Sequence, residues 1–148
     1  MAPLMYQKIL VPLEHSPTDQ TILSHVRRLA THDASTIVLI HVADGFAARN
    51  IEQLDLRESE EMRRDRAYLD ECVATLMTEG FRAEAVLACG DPAREICAAA
   101  ERERVDLIAM GTHGHRFLAD LIYGSVADAV RHKTMIPVLL VRQAPDAA

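Results

Sequence analysis

The chain has 148 residues, 49% of them hydrophobic and 26% charged. That composition suits one soluble domain around a single core and excludes a disordered chain. Sixteen Lys and Arg stand against 22 Asp and Glu, a net charge of −6, which argues against a general nucleic-acid binder but leaves room for a small anionic ligand at a local positive site. No apolar run reaches the roughly 18 residues of a membrane span. The first eight residues lack the order of a signal peptide. Three cysteines, Cys72, Cys89 and Cys97, with no CxxC spacing, offer neither a disulfide framework nor a zinc ribbon. The expected compartment is a reducing cytoplasm. Aromatics make up only 4% and Trp is missing, so stacking platforms for single-stranded nucleic acid are not expected.

Lys8-Ile9-Leu10-Val11-Pro12 is a short buried-strand run closed by turn chemistry. Residues 18–30 place Ile22, Leu23, Val26, Leu29 and Ala30 on one helical stripe. Residues 36–42 are almost continuously apolar, the pattern of a strand buried on both faces in a parallel sheet. A polar bridge covers 44–50. Residues 57–79 predict a long helix with an apolar stripe of Leu69, Cys72, Val73, Leu76 and Met77. Its charged run over 57–66 reads as a solvated face laced with i,i+4 pairs, and Gly80 reads as its stop. Residues 83–89 form a third strand with weaker patterning. Gly90-Asp91-Pro92 turns into the next helix, with Asp91 as cap and Pro92 at the first helical position; Ile96, Cys97 and Ala100 supply its buried face. Residues 105–110 are the fourth strand. Residues 118–133 read as a helix interrupted by Gly124, residues 136–141 as the fifth strand, and 143–148 as a loose tail. One domain over 1–148 follows: an α/β fold with a five-stranded parallel sheet, right-handed crossovers and helices on both faces. Ligands of such folds sit beyond the carboxyl ends of the strands, where strand order reverses.

The fourth strand ends in Met110-Gly111-Thr112-His113-Gly114, and Gly124-Ser125-Val126 follow, read as opening a helix. Glycines admit positive φ and close backbone approach to an anion, and a helix N-terminus adds unpaired N–H groups and a favourable dipole. Ser125 offers a hydroxyl, and with Asp128 it matches a capping box. Two readings stand side by side: a two-piece phosphate cradle, or ordinary glycines in a tight strand–helix connection. Neither a P-loop nor a dinucleotide fingerprint is present.

The spacing Gly111-x2-Gly114-x9-Gly124-Ser125, the Val11-Pro12 strand end, the Gly90-Asp91-Pro92 turn and the run Pro137-Val138-Leu139-Leu140-Val141 together resemble the universal stress protein family over residues 6–142. The resemblance implies a Rossmann-like sheet in the order 3-2-1-4-5 and, commonly, a dimer. It implies that members with the G-x2-G-x9-G-[ST] motif bind ATP or a related adenine nucleotide (ADP or AMP). By position it places Gly111, His113, Gly114, Gly124, Ser125 and Val126 around ribose and phosphates, and Pro12, Leu13 and Glu14 beside adenine and ribose. Val42 takes a backbone contact to the adenine edge, and Met110 lies near base or sugar. Mg²⁺ arrives with the phosphates, keeping most of its waters. Two residues depart from the family's habit: Glu14 stands where Asp is usual, and Ala127 where nucleotide binders often have Thr. Both bear on affinity and on preference for a triphosphate.

His113, His115 and Arg116 make a locally basic loop. Arg116 could meet a phosphate, while solvated polar residues are the plainer reading of His115 and Arg116. His113-x-His115, without a nearby Cys or carboxylate cluster, is a poor zinc site. His41, on an apolar strand, reads as a satisfied core histidine; Cys72 and Cys97 read as core thiols; Cys89 ends a strand near the ligand edge. The apolar fifth strand comes last and makes an edge, so a symmetric homodimer through 138–141 is expected, with Pro137 compatible with an edge position. No general base stands poised for water and no G-x-S-x-G elbow exists, so binding rather than turnover is expected. The leading expectation is a nucleotide-binding stress-response switch. Its competitors are a dimeric interaction module with no nucleotide and a slow ATP hydrolase.

Overall fold

Each strand is returned to the same end of the sheet by a helix, so all pairings are parallel. The computed structural model describes residues 5–44, 51–112 and 118–143. In chain order the elements are β1 (Lys8–Pro12), α1 (Thr18–Leu29), β2 (Thr36–Asp44), α2 (Ile51–Thr78), β3 (Arg82–Gly90), α3 (Pro92–Arg102), β4 (Leu107–Thr112), α4 (Leu118–Lys133) and β5 (Val138–Arg142). The sheet order is β3-β2-β1-β4-β5, as the resemblance implied.

The continuous apolar runs of β1, β2 and β4 have two faces to bury. Ile9, Val11, Ile37, Leu39, Leu107 and Ala109 pack with Ile22, Leu23 and Val26 of α1 and Leu69 and Leu76 of α2. Leu10, Val38, Ile40, Ile108 and Met110 pack on the other side with Ala93, Ile96, Ala99 and Ala100 of α3 and Ala127 and Val130 of α4. β3, the weakly patterned strand, lies at an edge and is only half-buried along most of its length. Cys72 and Cys97 pack against these two layers as expected; burial is the main cause pushing both thiols above their ordinary pKa.

The turn chemistry is as read. Asp91 caps α3, its carboxylate accepting from the Arg94 N–H at 3.0 Å, with Pro92 opening the helix. Gly80 ends α2 at φ +95°, and the Phe81 N–H closes back onto the Leu76 carbonyl at 3.0 Å. Strand ends shift by one or two residues, β2 running on to Asp44, β4 to Thr112 and β5 starting at Val138, and four further differences matter more. Val105 and Asp106 belong to the turn before β4, not to the strand: the Val105 N–H bonds back to Ala100 O, and the Asp106 carboxylate accepts from the N–H groups of Gln7 and Lys8. α2 starts at Ile51, six residues before the expected 57. α4 runs unbroken through Gly124. Gln143, read as the start of a loose tail, is tied in: its N–H bonds to Thr112 O at 2.9 Å and its side-chain carbonyl accepts from Thr18 Oγ1 at 3.0 Å.

Candidate functional site

The chain runs from β1 outward to β2 and β3, then crosses back to β4 on the other flank of β1. The reversal falls between β1 and β4, and doubly wound folds take their ligands in the crevice beyond the carboxyl ends of the strands at such a point. The loop after β1 forms one wall. The Leu13 N–H extends the ladder to Ile40 O at 2.8 Å, and His15 takes a left-handed conformation at φ +63°. Asp19, in the first turn of α1, is 1% exposed. Its Oδ1 accepts from the Glu14 N–H at 2.9 Å, and its Oδ2 from the N–H groups of His15 at 2.9 Å and Ser16 at 3.2 Å and from the Tyr68 hydroxyl at 2.6 Å. A buried carboxylate needs such donors, and these charge-assisted bonds are the strong kind. The loop is wrapped around this one side chain. Glu14 is half-buried, its Oε2 accepting from Ser16 Oγ at 3.1 Å.

Burial, and after it the bond to Asp19, drives the Tyr68 phenol well above its ordinary pKa. The native state therefore keeps the phenolic proton that the unfolded chain gives up near pH 10. This stabilisation is complete below pH 10 and is lost as pH rises above it, because the native state then binds more protons than the unfolded one. Denaturation midpoints followed from pH 8 to 11 should fall more steeply above pH 10 in the wild type than in Tyr68→Phe; parallel curves would refute the assignment.

A second tie comes from β2 and α2. His41 Nδ1 donates to Leu13 O at 2.8 Å, and its Nε2 lies 3.3 Å from Asp65 Oδ2. The other Asp65 oxygen is 3.0 Å from His15 Nδ1, and the His15 ring stacks on Tyr68 with centroids 4.0 Å apart. His41, expected as a core histidine, has Nδ1 partnered by Leu13 O while its Nε2 faces the Asp65 carboxylate. Asp65 departs from the solvated reading of its charged run. Arg66 and Asp70 of the same helix do form an exposed i,i+4 pair at 3.6 Å, but the Asp65 carboxylate turns inward, with its side chain 14% exposed.

On the β4 side, Gly111 does not take a positive φ. It is needed because α1 lies close: a Cβ there would sit 3.0 Å from Thr18 Cγ2 and 3.7 Å from Thr18 O. Met110 is buried on the α3/α4 face, and half-buried Val42 packs against the same layer. Pro12 closes β1 in register with Ile40. Thus Pro12, Leu13, Glu14, Val42, Met110 and Gly111 gather at the carboxyl ends of three adjacent strands.

The α4 residues are placed differently from the reading that gave them a helix opening. Gly124, Ser125 and Val126 lie inside the helix, so Ser125 has no N-terminal N–H groups around it. Asp128 pairs with Arg131 at 2.6 Å instead of capping. Ser125 is exposed, Val126 packs toward the Met110 layer, and Ala127 is 3% exposed within it. His113, Gly114, His115 and Arg116 lie outside the described residues. Among the described residues no group of three metal-ligating side chains forms, and no helix is long and apolar enough to cross a membrane.

Asp19, Asp65 and Tyr68 were not singled out from the sequence. Asp19 had a faint signal, an acid in the first helical turn after His15-Ser16-Pro17. Asp65 and Tyr68 had none, because their partners lie 50 and 49 positions away.

A doubly wound α/β domain with its crevice between β1 and β4 is the class that fold and site define. The profile of the universal stress protein family matches residues 5–142, and the chain belongs to that family. It is 31% identical to the universal stress protein MJ0577 of Methanocaldococcus jannaschii, over 95% of this chain and 97% of that one. The solved MJ0577 structure matches with a TM-score of 0.85, covering 97% of this chain and 100% of that one. A universal stress protein in complex with cAMP shares the fold at 18% identity and a TM-score of 0.70, over 95% of this chain and 100% of that one. One from Archaeoglobus fulgidus in complex with dAMP shares it at 21% identity and 0.61, over 93% and 99%.

Proposed function

We propose that this chain binds an adenine nucleotide at the carboxyl ends of β1, β2 and β4, and works as a nucleotide-dependent switch in the cytoplasm rather than as an efficient hydrolase. The observation that carries this reading is the convergence of the Leu13–Glu14 segment, Val42 and Met110 at the point where strand order reverses. Val42 and Met110 give an apolar flank suited to a purine, and the Glu14 carboxylate is an acceptor suited to ribose hydroxyls. These residues fit the nucleoside half of the ligand. Its phosphates, with Mg²⁺, fall to Gly111 and, by position in the motif, to His113, Gly114, Gly124, Ser125 and Val126. The cAMP and dAMP complexes of relatives support adenine as the base. ATP is the first candidate, with ADP or AMP as forms that ask less of the Ala127 position.

The partner is a second copy of the chain. β5 is the edge strand beside β4, and Leu140 on it is 43% exposed; an apolar edge of this kind is a template for symmetric pairing. Native mass spectrometry of gently purified protein tests both parts at once. The expected species is a two-copy assembly carrying adenine nucleotide. A ligand-free protein whose melting temperature does not rise with added ATP and Mg²⁺ would remove the nucleotide reading, and a monomer at micromolar concentration would remove the pairing.

A further inference from the structure

Both ring nitrogens of His41 face oxygens that only accept, one in a hydrogen bond and the other at ion-pair distance. Nδ1 is 2.8 Å from Leu13 O, a carbonyl that only accepts. Nε2 is 3.3 Å from Asp65 Oδ2, and an ionised carboxylate also only accepts. A neutral His41 satisfies one of these oxygens and turns a lone pair toward the other. Either the Leu13 carbonyl or the Asp65 carboxylate then faces nitrogen without a hydrogen between. The pair is complete when the imidazole carries both N–H groups and Asp65 is ionised.

We infer that His41 and Asp65 form a proton-dependent latch on the Leu13–Glu14 segment, so that the nucleoside pocket is held in its binding shape at acidic pH and relaxes as pH rises. The inference rests on the adenine-nucleotide reading and adds its regulation. His41 and Asp65 are positioning residues: they act on the pocket through the Leu13 carbonyl and through His15, whose Nδ1 bonds to the second Asp65 oxygen. Among the described residues, the ionisable groups bonded or stacked into this cluster are Asp65 and Tyr68 from α2, His15 and Glu14 from the loop, and Asp19 from α1. On β3, the register neighbour of His41 is the uncharged Leu87. Tyr68 and Asp19 are already bonded to each other, and His15 needs only its Nδ1–H, which a neutral ring supplies. His41 is thus the group whose hydrogen-bond count changes when its ring gains or loses a proton.

Adenosine is the probe, because it has no phosphate of its own to titrate. Its affinity for the wild type should be about five-fold higher at pH 5.5 than at pH 8.5, the worth of one net hydrogen bond. His41→Asn keeps an N–H donor near the Leu13 carbonyl and cannot titrate; its affinity should change less than two-fold over the same range. Asp65→Asn should likewise flatten the profile. A second reading needs no ligand. The Glu14 backbone amide adjoins the Leu13 carbonyl, so its ¹⁵N shift should follow the titration of the His41 ring in the wild type and lose that component in His41→Asn. A Glu14 amide that stays still while the His41 ring titrates overturns the latch, as does an adenosine affinity flat with pH in the wild type. Failure of adenosine to bind at any pH, with the Glu14 amide still following His41, keeps the latch and removes the nucleotide reading.

Discussion

Replacing Asp19 with alanine should cost about 3 kcal/mol of stability, because three backbone N–H groups and a tyrosine hydroxyl lose their shared acceptor in a nearly dry site. In a chain of this length that is a fall in melting temperature of roughly 6–12 °C. Nucleotide affinity should fall more than about ten-fold as well, since Glu14 and His15 are held by the same carboxylate. Asp19→Asn keeps the shape and one acceptor oxygen, so it should fall between. Tyr68→Phe combined with Asp19→Ala should cost less than the two single changes summed, since both remove the same 2.6 Å bond. Chemical denaturation of the four proteins checks the set; a loss under about 0.5 kcal/mol for Asp19→Ala would show that water replaces the carboxylate freely.

Gly111→Val is expected to be comparably damaging for a steric reason. A Cβ at this position already meets Thr18 Cγ2 at 3.0 Å and Ile22 Cβ at 3.6 Å, and valine adds two branches to it. Overpacking of this kind costs about 3 kcal/mol at the upper end of its usual range. The strain falls on the start of α1 and breaks the bond from Thr18 Oγ1 to Gln143 Oε1. Both the loop wall and the β4 wall of the crevice then shift together, so binding and folding fail in one variant. Gly111→Ala should cost about 1 kcal/mol, because Thr18 has only a methyl to move. Urea unfolding of the two variants separates the cases. Equal stability of valine and wild type would mean that α1 is free to lift from β4.

The sheet was legible in the sequence because its strands are nearly solid apolar runs and its helices carry stripes. β1 and β2 and the Asp91 cap match almost to the residue. The long helix α2 was legible from residue 57 onward, charged run included; only its first six residues, 51–56, were not read as helix. The proposed site residues Pro12, Leu13, Glu14, Val42, Met110 and Gly111 were named by position in the family pattern, and the fold brings them to the carboxyl ends of adjacent strands. The reason given for Gly111 was incomplete: its missing side chain serves the approach of α1, which no local pattern encodes. The helix opening at Gly124-Ser125 was a reasonable inference from glycine's low helical propensity, but α4 carries straight through it. The Asp19–Tyr68 and Asp65–His41 ties were invisible because they join distant segments through single polar contacts. Charge in a sequence reads as surface until the fold shows which carboxylate has turned inward.

The two rims of the sheet are not alike, and that difference governs how far association can proceed. β5 presents the exposed Leu140 with the exposed Arg142 at its end, whereas β3 presents exposed Arg82 and Glu84 near its start. A chain apolar on both rims could add copies head to tail and grow into a filament. A symmetric pair through β5, as proposed above, would consume those rims, and the outer rims it leaves, with Arg82 and Glu84, carry ionic side chains that oppose strand addition. Growth of that proposed pair would stop at two copies, with the charged β3 strands as its terminators.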